Sequence, residues 1–307
     1  MGRIFFRYNF NSFCRYLNSI MLKKAVFIFL MAFTTKSLVA ETAAFPDTSS
    51  LAKAELQLKQ FADSIAKGSN DKVREAAAAA FNPIFFDLLM NNPATFSYPF
   101  DSLPTVSKIK SHDGNLRIYT WLMNSRLEGT YRYYGIVQRY NPSTKQLKTI
   151  GLLETDTLDE AATFADLKTD SWYGAIYYEI IEKKINKKTS YFLLGWKGRD
   201  RLSTRKVIDA ISFDAWDNIS FGMPVFLHEK KNKYRVIFEF NAQAVMSLKY
   251  DKKKKMILFD HLSPSSPSLK GQYRYYGPDF TYDGFQFKKG IWNYKSNLEL
   301  RNPGEKK

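Results

Sequence analysis

From about residue 103 the apolar period changes from 3.6 to 2, apart from one acidic stretch, and β-branched and aromatic side chains dominate. A period of two sends successive side chains to opposite faces of a strand, so a stretch this long with this pattern cannot be a helical bundle. The pattern predicts strands over 105–111, 115–123, 131–140, 146–153, 173–183, 189–196, 205–213, 223–229, 233–240, 244–250, 256–261 and 281–288. The connections between them are short and polar: His112-Asp113-Gly114-Asn115, NPSTKQ over 141–146, 186–188, 230–232 and DKKKK over 251–255. Parallel strands need long crossovers, so these connections predict antiparallel hairpins. The expected fold class is mainly β: a large antiparallel sheet or sandwich built from hairpins and meanders, with a propeller-like arrangement as the alternative. The β domain is expected to fill 101–307.

Upstream, over 45–100, the period is helical. Leu51, Ala54, Leu58, Phe61, Ala62 and Ile65 recur at spacings of three and four up to Gly68, which reads as a stop. Asn70-Asp71 caps a second helix with Val73, Ala77, Ala80, Phe81, Ile84 and Leu88 on one face, and Pro83 is expected to kink or restart it. A helical hairpin follows. The acidic stretch 156–170 (DTLDEAATFADLKTD) carries Leu158, Ala161, Ala162 and Ala165 at helical spacing and predicts a short helix between two strand groups. A weak repeat is also visible. Ile136 to Leu152 resembles Val245 to Phe259 in pattern, and YRYYG occurs at both 131–135 and 273–277, as two similar meanders would require.

Residues 21–40 read as a signal peptide: Met21-Leu22-Lys23-Lys24, then the apolar run AVFIFLMAF over 25–33, then small and polar residues up to Ala40. The run is too short to span a bilayer, which takes ~20 apolar residues, so no transmembrane segment is expected after signal cleavage. Residues 1–20 look like an upstream extension from a misassigned start. The location that follows is periplasmic or secreted. The single Cys, Cys14, would be lost on export, which excludes thiolate catalysis, Cys-ligated zinc and internal disulfides from the mature chain.

Charge narrows the partners. Six of the 46 Lys and Arg and none of the 30 Asp and Glu lie in residues 1–40, so 40 cations against 30 acids leave +10 on the remaining 267 residues. Lysines cluster at the hairpin tips: Lys183-Lys184, Lys187-Lys188, Lys230-Lys231, Lys252 to Lys255 and Lys288-Lys289. Such tips beside tyrosines suggest nucleic acid in an intracellular protein, but export removes that partner. The expectation is that the lysines serve solubility and shield strand edges. Attraction to anionic envelope glycans or lipid head groups is the alternative.

The segments DGNLRIYTW (113–121), YFLLGWKG (191–198), FDHLSP (259–264) and YGPDFTYDGF (276–285) resemble uncharacterised exported β-rich proteins of Gram-negative bacteria. The resemblance spans most of 100–302 and implies no activity, cofactor or catalytic residue.

One constellation can carry chemistry. Asp260, His261, Asp279 and Asp283 put three carboxylates and an imidazole within 24 residues near strand ends, where they could serve as a general base. The competing reading makes Asp260-His261 part of a capped turn and Asp283-Gly284 an ordinary turn dipeptide. His112, His228 and His261 complete the histidines, but no HxH or HExxH spacing joins them, so turn histidines on the surface are expected rather than a metal site. There is no GxSxG elbow and no phosphate-cradling glycine loop, and no cofactor is expected. The expected role is an exported envelope protein acting as a binding or structural module. A hydrolase or metal-dependent enzyme using the acids and His261 is the alternative, and the sequence leaves that choice open.

Overall fold

The computed structural model describes residues 48–155, 159–214 and 216–299. The upstream extension, Cys14, the signal peptide and its cleavage region lie outside the described residues. The chain from Leu51 onward forms one compact unit.

Helices α1 (Thr48–Lys67) and α2 (Asp71–Asn91) are separated by Gly68-Ser69-Asn70. A side chain at 68 would place its Cβ 2.6 Å from the Ser64 carbonyl, so the stop must be glycine. The Asn70 side chain accepts from the Val73 N–H and caps α2 as expected. Helix α1 buries Leu51, Leu58, Ala62 and Ile65, the predicted stripe. Helix α2 does not. Val73 is 42% exposed, and the buried stripe is Arg74, Ala77, Ala78, Phe81, Phe85, Phe86 and Leu89. The rotation is set by Arg74, whose guanidinium donates to the carbonyls of Gly68 and Asn124, so its apolar stem packs inside with its head satisfied. Pro83 neither ends nor restarts α2, which runs on to Asn91. The carbonyl that Pro83 cannot serve is that of Ala79, on the exposed side, where solvent can satisfy it.

The rest is built from antiparallel sheets. Sheet I is a meander of β1 (Ser107–Lys110), β2 (Leu116–Ser125), β3 (Thr130–Asn141) and β4 (Gln146–Leu153). A short helix, α3 (Asp159–Thr163), follows within the acidic stretch. Sheet II holds β5 (Ile176–Ile185), β6 (Lys188–Gly198) and β7 (Ser203–Phe213), with β8 (Ile219–Phe221) and β11 (Val236–Asn241) both paired to β7. Sheet III contains β9 (Phe226–His228), β10 (Lys231–Lys233), β12 (Leu248–Asp251), β13 (Met256–Pro264), β14 (Tyr276–Lys288) and β15 (Ile291–Lys295), in the order β10-β9-β15-β14-β13-β12. The β9–β15 pairing is parallel.

Several strands differ from the sequence expectation. The run 223–229 shrinks to β9, the run 244–250 becomes strand only at Leu248, and β8, β10 and β15 have no counterpart among the predicted strands, β10 taking up part of the expected 230–232 turn. The two YRYYG copies adopt different structures: the first lies inside β3, whereas Tyr273–Tyr275 of the second is a 3₁₀ turn leading into β14. Their flanks decide this, because the first copy pairs along its whole length with β2.

The three sheets stack. On β6, Tyr191 and Leu193 join a core with Leu116, Ile118 and Val137 of sheet I, together with Trp172. The alternate residues Phe192 and Leu194 join another with Ile257, Phe259, Phe285 and Trp292 of sheet III. Sheet II is therefore covered on both faces, which explains why YFLLGW reads as a continuous apolar run instead of an alternation. The outer face of sheet I is closed by α2, where Phe81 and Phe85 meet Trp121 and Tyr119 edge-on at 5.2 and 5.3 Å.

Candidate functional site

Strands β13 and β14 pair continuously except at one place. Asp260 faces Tyr282 and Leu262 faces Pro278, so His261 alone lies opposite Asp279, Phe280 and Thr281. The surplus residues form a bulge. It is held by Asp279, whose Oδ1 accepts from the Thr281 N–H at 3.1 Å and the Thr281 hydroxyl at 2.7 Å, while Oδ2 accepts from the Ser263 hydroxyl at 2.6 Å. At the apex Phe280 has φ +69° and is 92% exposed. A bulky residue in the left-handed region, with its ring in solvent, is an outlier that the surroundings must impose.

Beside the bulge the structure assembles three of the four predicted residues. Asp283 is buried within β14. Its Oδ2 lies 2.6 Å from His261 Nδ1 and also accepts the Tyr294 hydroxyl, while Oδ1 accepts from the Asn297 N–H at 3.0 Å. With Nδ1 held, His261 Nε2 is turned toward Asp279, 3.9 Å away. Asp260 is not part of this group. Its carboxylate accepts from the Ser247 N–H at 2.7 Å, and its own N–H donates back to the Ser247 carbonyl. The turn readings are overturned too: β13 runs unbroken through Asp260 to Pro264, and Asp283-Gly284 is strand interior. Gly284 is required there because a Cβ would lie 2.7 Å from the Ile257 carbonyl.

Burial alone would raise the Asp279 pKa, but the hydrogen bonds from Ser263 and Thr281 outweigh it, so the carboxylate titrates below its usual range. Burial, then the Asp283 hydrogen bond and charge, push the Tyr294 phenol well above its ordinary value. His228 packs its ring on Tyr294 at 4.2 Å. Burial first, then Lys233, lower its pKa against the weaker opposing pull of Glu229 and Asp283. Two of the three histidines thus flank one buried aspartate, while His112 lies in the β1–β2 turn. Among the described residues no three His, Cys, Asp or Glu side chains are arranged to hold a metal ion.

Chemically, the arrangement offers an imidazole oriented by a buried carboxylate with one nitrogen turned outward, an ionised acid beside it, and an exposed aromatic ring. Two of its members, Tyr294 and Phe280, escaped the sequence reading. The β-branched and aromatic residues Ile291, Trp292 and Tyr294 directly after Lys289-Gly290 are the signal for β15. Nothing in the sequence marks residue 280 as left-handed.

A second charged cluster lies between sheets I and II. Lys197 Nζ meets Glu154 Oε1 at 2.7 Å and the Tyr173 carbonyl at 2.6 Å, and it sits 4.7 Å from the ring centres of both Tyr133 and Tyr173. Burial lowers its pKa. Its partners are all internal, which makes it a clamp between sheets rather than a group presented to a ligand. No protein-family model matches this chain, and no curated protein matches it.

Proposed function

We propose that this chain is an exported binding module of the bacterial envelope, and that the β13–β14 bulge is its glycan-contacting site. The reading rests chiefly on Phe280, an aromatic ring that is 92% exposed at φ +69°. An L-residue in that region costs about 1–2 kcal/mol relative to a right-handed conformation, and such a cost is typical of functional sites. An exposed ring flanked by hydrogen-bonding groups suits a sugar, whose C–H face stacks while its hydroxyls are bonded from the side. Asp279 supplies an acceptor and His261 Nε2 either a donor or an acceptor. The signal-like segment 21–40 supports the envelope setting.

The test is binding of the purified chain to an array of envelope-derived glycans, alongside Phe280→Ala and His261→Ala. Binding that Phe280→Ala removes with folding intact is the expected result. Equal binding by the wild type and Phe280→Ala would overturn the reading. The His261–Asp283 pair keeps a hydrolytic reading alive, and product release from a bound glycan that ceases in His261→Ala would favour it.

A further inference from the structure

The lysine-rich tips are scattered through the sequence, but the stacked sheets bring most of them to one end. The β5–β6 turn touches the β14–β15 turn, since a Cβ on Gly290 would lie 3.7 Å from Ile185 Cγ2. Lys183 reaches from β5 to the Tyr250 hydroxyl on β12 at 2.6 Å. The registers Asp251↔Met256 and Met256↔Gln286 place the 252–255 turn beside the end of β14. Sheet I and the β7–β8 turn continue this end: Glu182 accepts from the His112 N–H, and Lys148 donates to the Trp216 carbonyl at 3.0 Å. The Lys230-Lys231 tip lies apart, because β9 runs parallel to β15 and carries its turn to the opposite end.

Three features of this end go beyond solubility. First, lysine occupies left-handed turn positions at Lys145 (φ 54°), Lys187 (φ 66°), Lys255 (φ 55°) and Lys289 (φ 52°), four at this end against Lys230 (φ 63°) alone at the opposite tip. Glycine or asparagine would fit these positions better, and a lysine one residue away would serve solubility as well. Second, the acids of this end are bound internally. Asp113 accepts from Ser111 and Tyr191, Glu182 from backbone N–H groups, Asp214 from the Trp216 and Asn218 N–H groups, Asp217 pairs with Arg139, and Asp251 accepts from the Lys254 backbone N–H. The lysines in ion pairs among the described residues are Lys59, Lys168 and Lys197, none of them at these tips. Third, Trp216 stands 77% exposed among them, and an indole with its ring free suits the head-group layer of a bilayer.

We propose that this end docks on an anionic membrane surface, with the lysines attracted to lipid phosphates and Trp216 entering the head-group region. The cations are lysines, not arginines. A compact ammonium attracts phosphate as a point charge, without the bidentate geometry by which arginine fixes one group. Many exposed point charges on separate turns match a fluid array of head groups, and clustered lysines add attraction additively near such a surface. The β13–β14 bulge, toward the other end of those strands, would remain free.

The test is co-sedimentation of the full chain with phosphatidylcholine vesicles containing about 30% phosphatidylglycerol, at about 0.1 M salt. One variant changes Lys187, Lys188, Lys252, Lys253, Lys254, Lys255, Lys288 and Lys289 to Gln; a control carries Lys230→Gln and Lys231→Gln. Every protein keeps residues 1–40, so differences between them read the tips alone. We expect binding that weakens as salt rises, a loss of about a hundredfold or more in the eight-site variant, and little change in the control. The Trp216 fluorescence should also shift to the blue on the anionic vesicles with wild type, an effect absent in Trp216→Phe, which provides a readout should the eight-site variant fold poorly. Equal binding to pure phosphatidylcholine, an unaffected eight-site variant that folds, or vesicle binding abolished by a soluble acidic polysaccharide that the chain prefers would each overturn the proposal.

Discussion

Asp209 and Arg235, 26 residues apart in sequence, face each other at 3.3 Å with both side chains fully buried. Arg235 also donates to the carbonyls of Ala162, Ala165 and Phe221, and Asp209 accepts from the Tyr177 hydroxyl, which itself accepts from Trp172 Nε1 at 3.0 Å. The network ties β5, β7 and the segment entering β11 to the α3 region. Removing one partner strands the other charge without water. Asp209→Leu should therefore cost about 3–5 kcal/mol, read as a lower urea midpoint at unchanged slope. A loss under about 1 kcal/mol would show that Arg235 is satisfied by the carbonyls alone.

On the proposed glycan site, Phe280 should set stability against binding. Phe280→Gly removes the strain of φ +69° but adds freedom to the unfolded chain, a cost of roughly 0.5–1 kcal/mol. The expected net effect is a gain of about 0.5–1 kcal/mol together with loss of glycan binding. Thermal unfolding and the glycan array check the two halves separately.

Gly195 tests how tightly β6 packs against its paired strand β5, where Tyr177 faces it. An added Cβ would lie 2.8 Å from the ring of buried Tyr177 and 3.3 Å from the Ile176 carbonyl, neither of which has room to retreat. Gly195→Ala should cost about 1–3 kcal/mol. Gly277→Ala, whose Cβ would find its nearest neighbour at 3.8 Å, should stay within about 0.5 kcal/mol. Denaturant unfolding of the pair gives the comparison.

His228 should make stability depend on pH. In the unfolded chain it titrates near 6.5, while burial and Lys233 lower its value in the fold. Between those two values the unfolded chain holds more protons. The contribution is therefore complete above about pH 6.5 and is lost as pH falls toward the lower folded value. His228→Gln should flatten the slope of the urea midpoint across that window, and an unchanged slope would place the effect elsewhere.

The hairpin chemistry of the chain was legible because it is local. Period-two alternation and short polar turns dictate antiparallel strands whatever surrounds them, and Asn70 with Gly68 marks the helix boundary by backbone geometry alone. His261, Asp279 and Asp283 were legible as chemistry for the same reason, being polar residues close together in sequence. What needed the tertiary structure was every choice between equivalent faces and ends. Asp260 and His261 are neighbours, yet one bonds to Ser247 and the other to Asp283, because register and a bulge decide which way each side chain turns. The face of α2 was decided by the carbonyls that Arg74 could reach, and Tyr294 entered the site through a strand whose partners come from distant parts of the chain. The lysine tips follow the same rule: a turn sequence fixes that an apex is exposed, but only the stacking of sheets decides which apices share an end, since long-range packing carries no local signature.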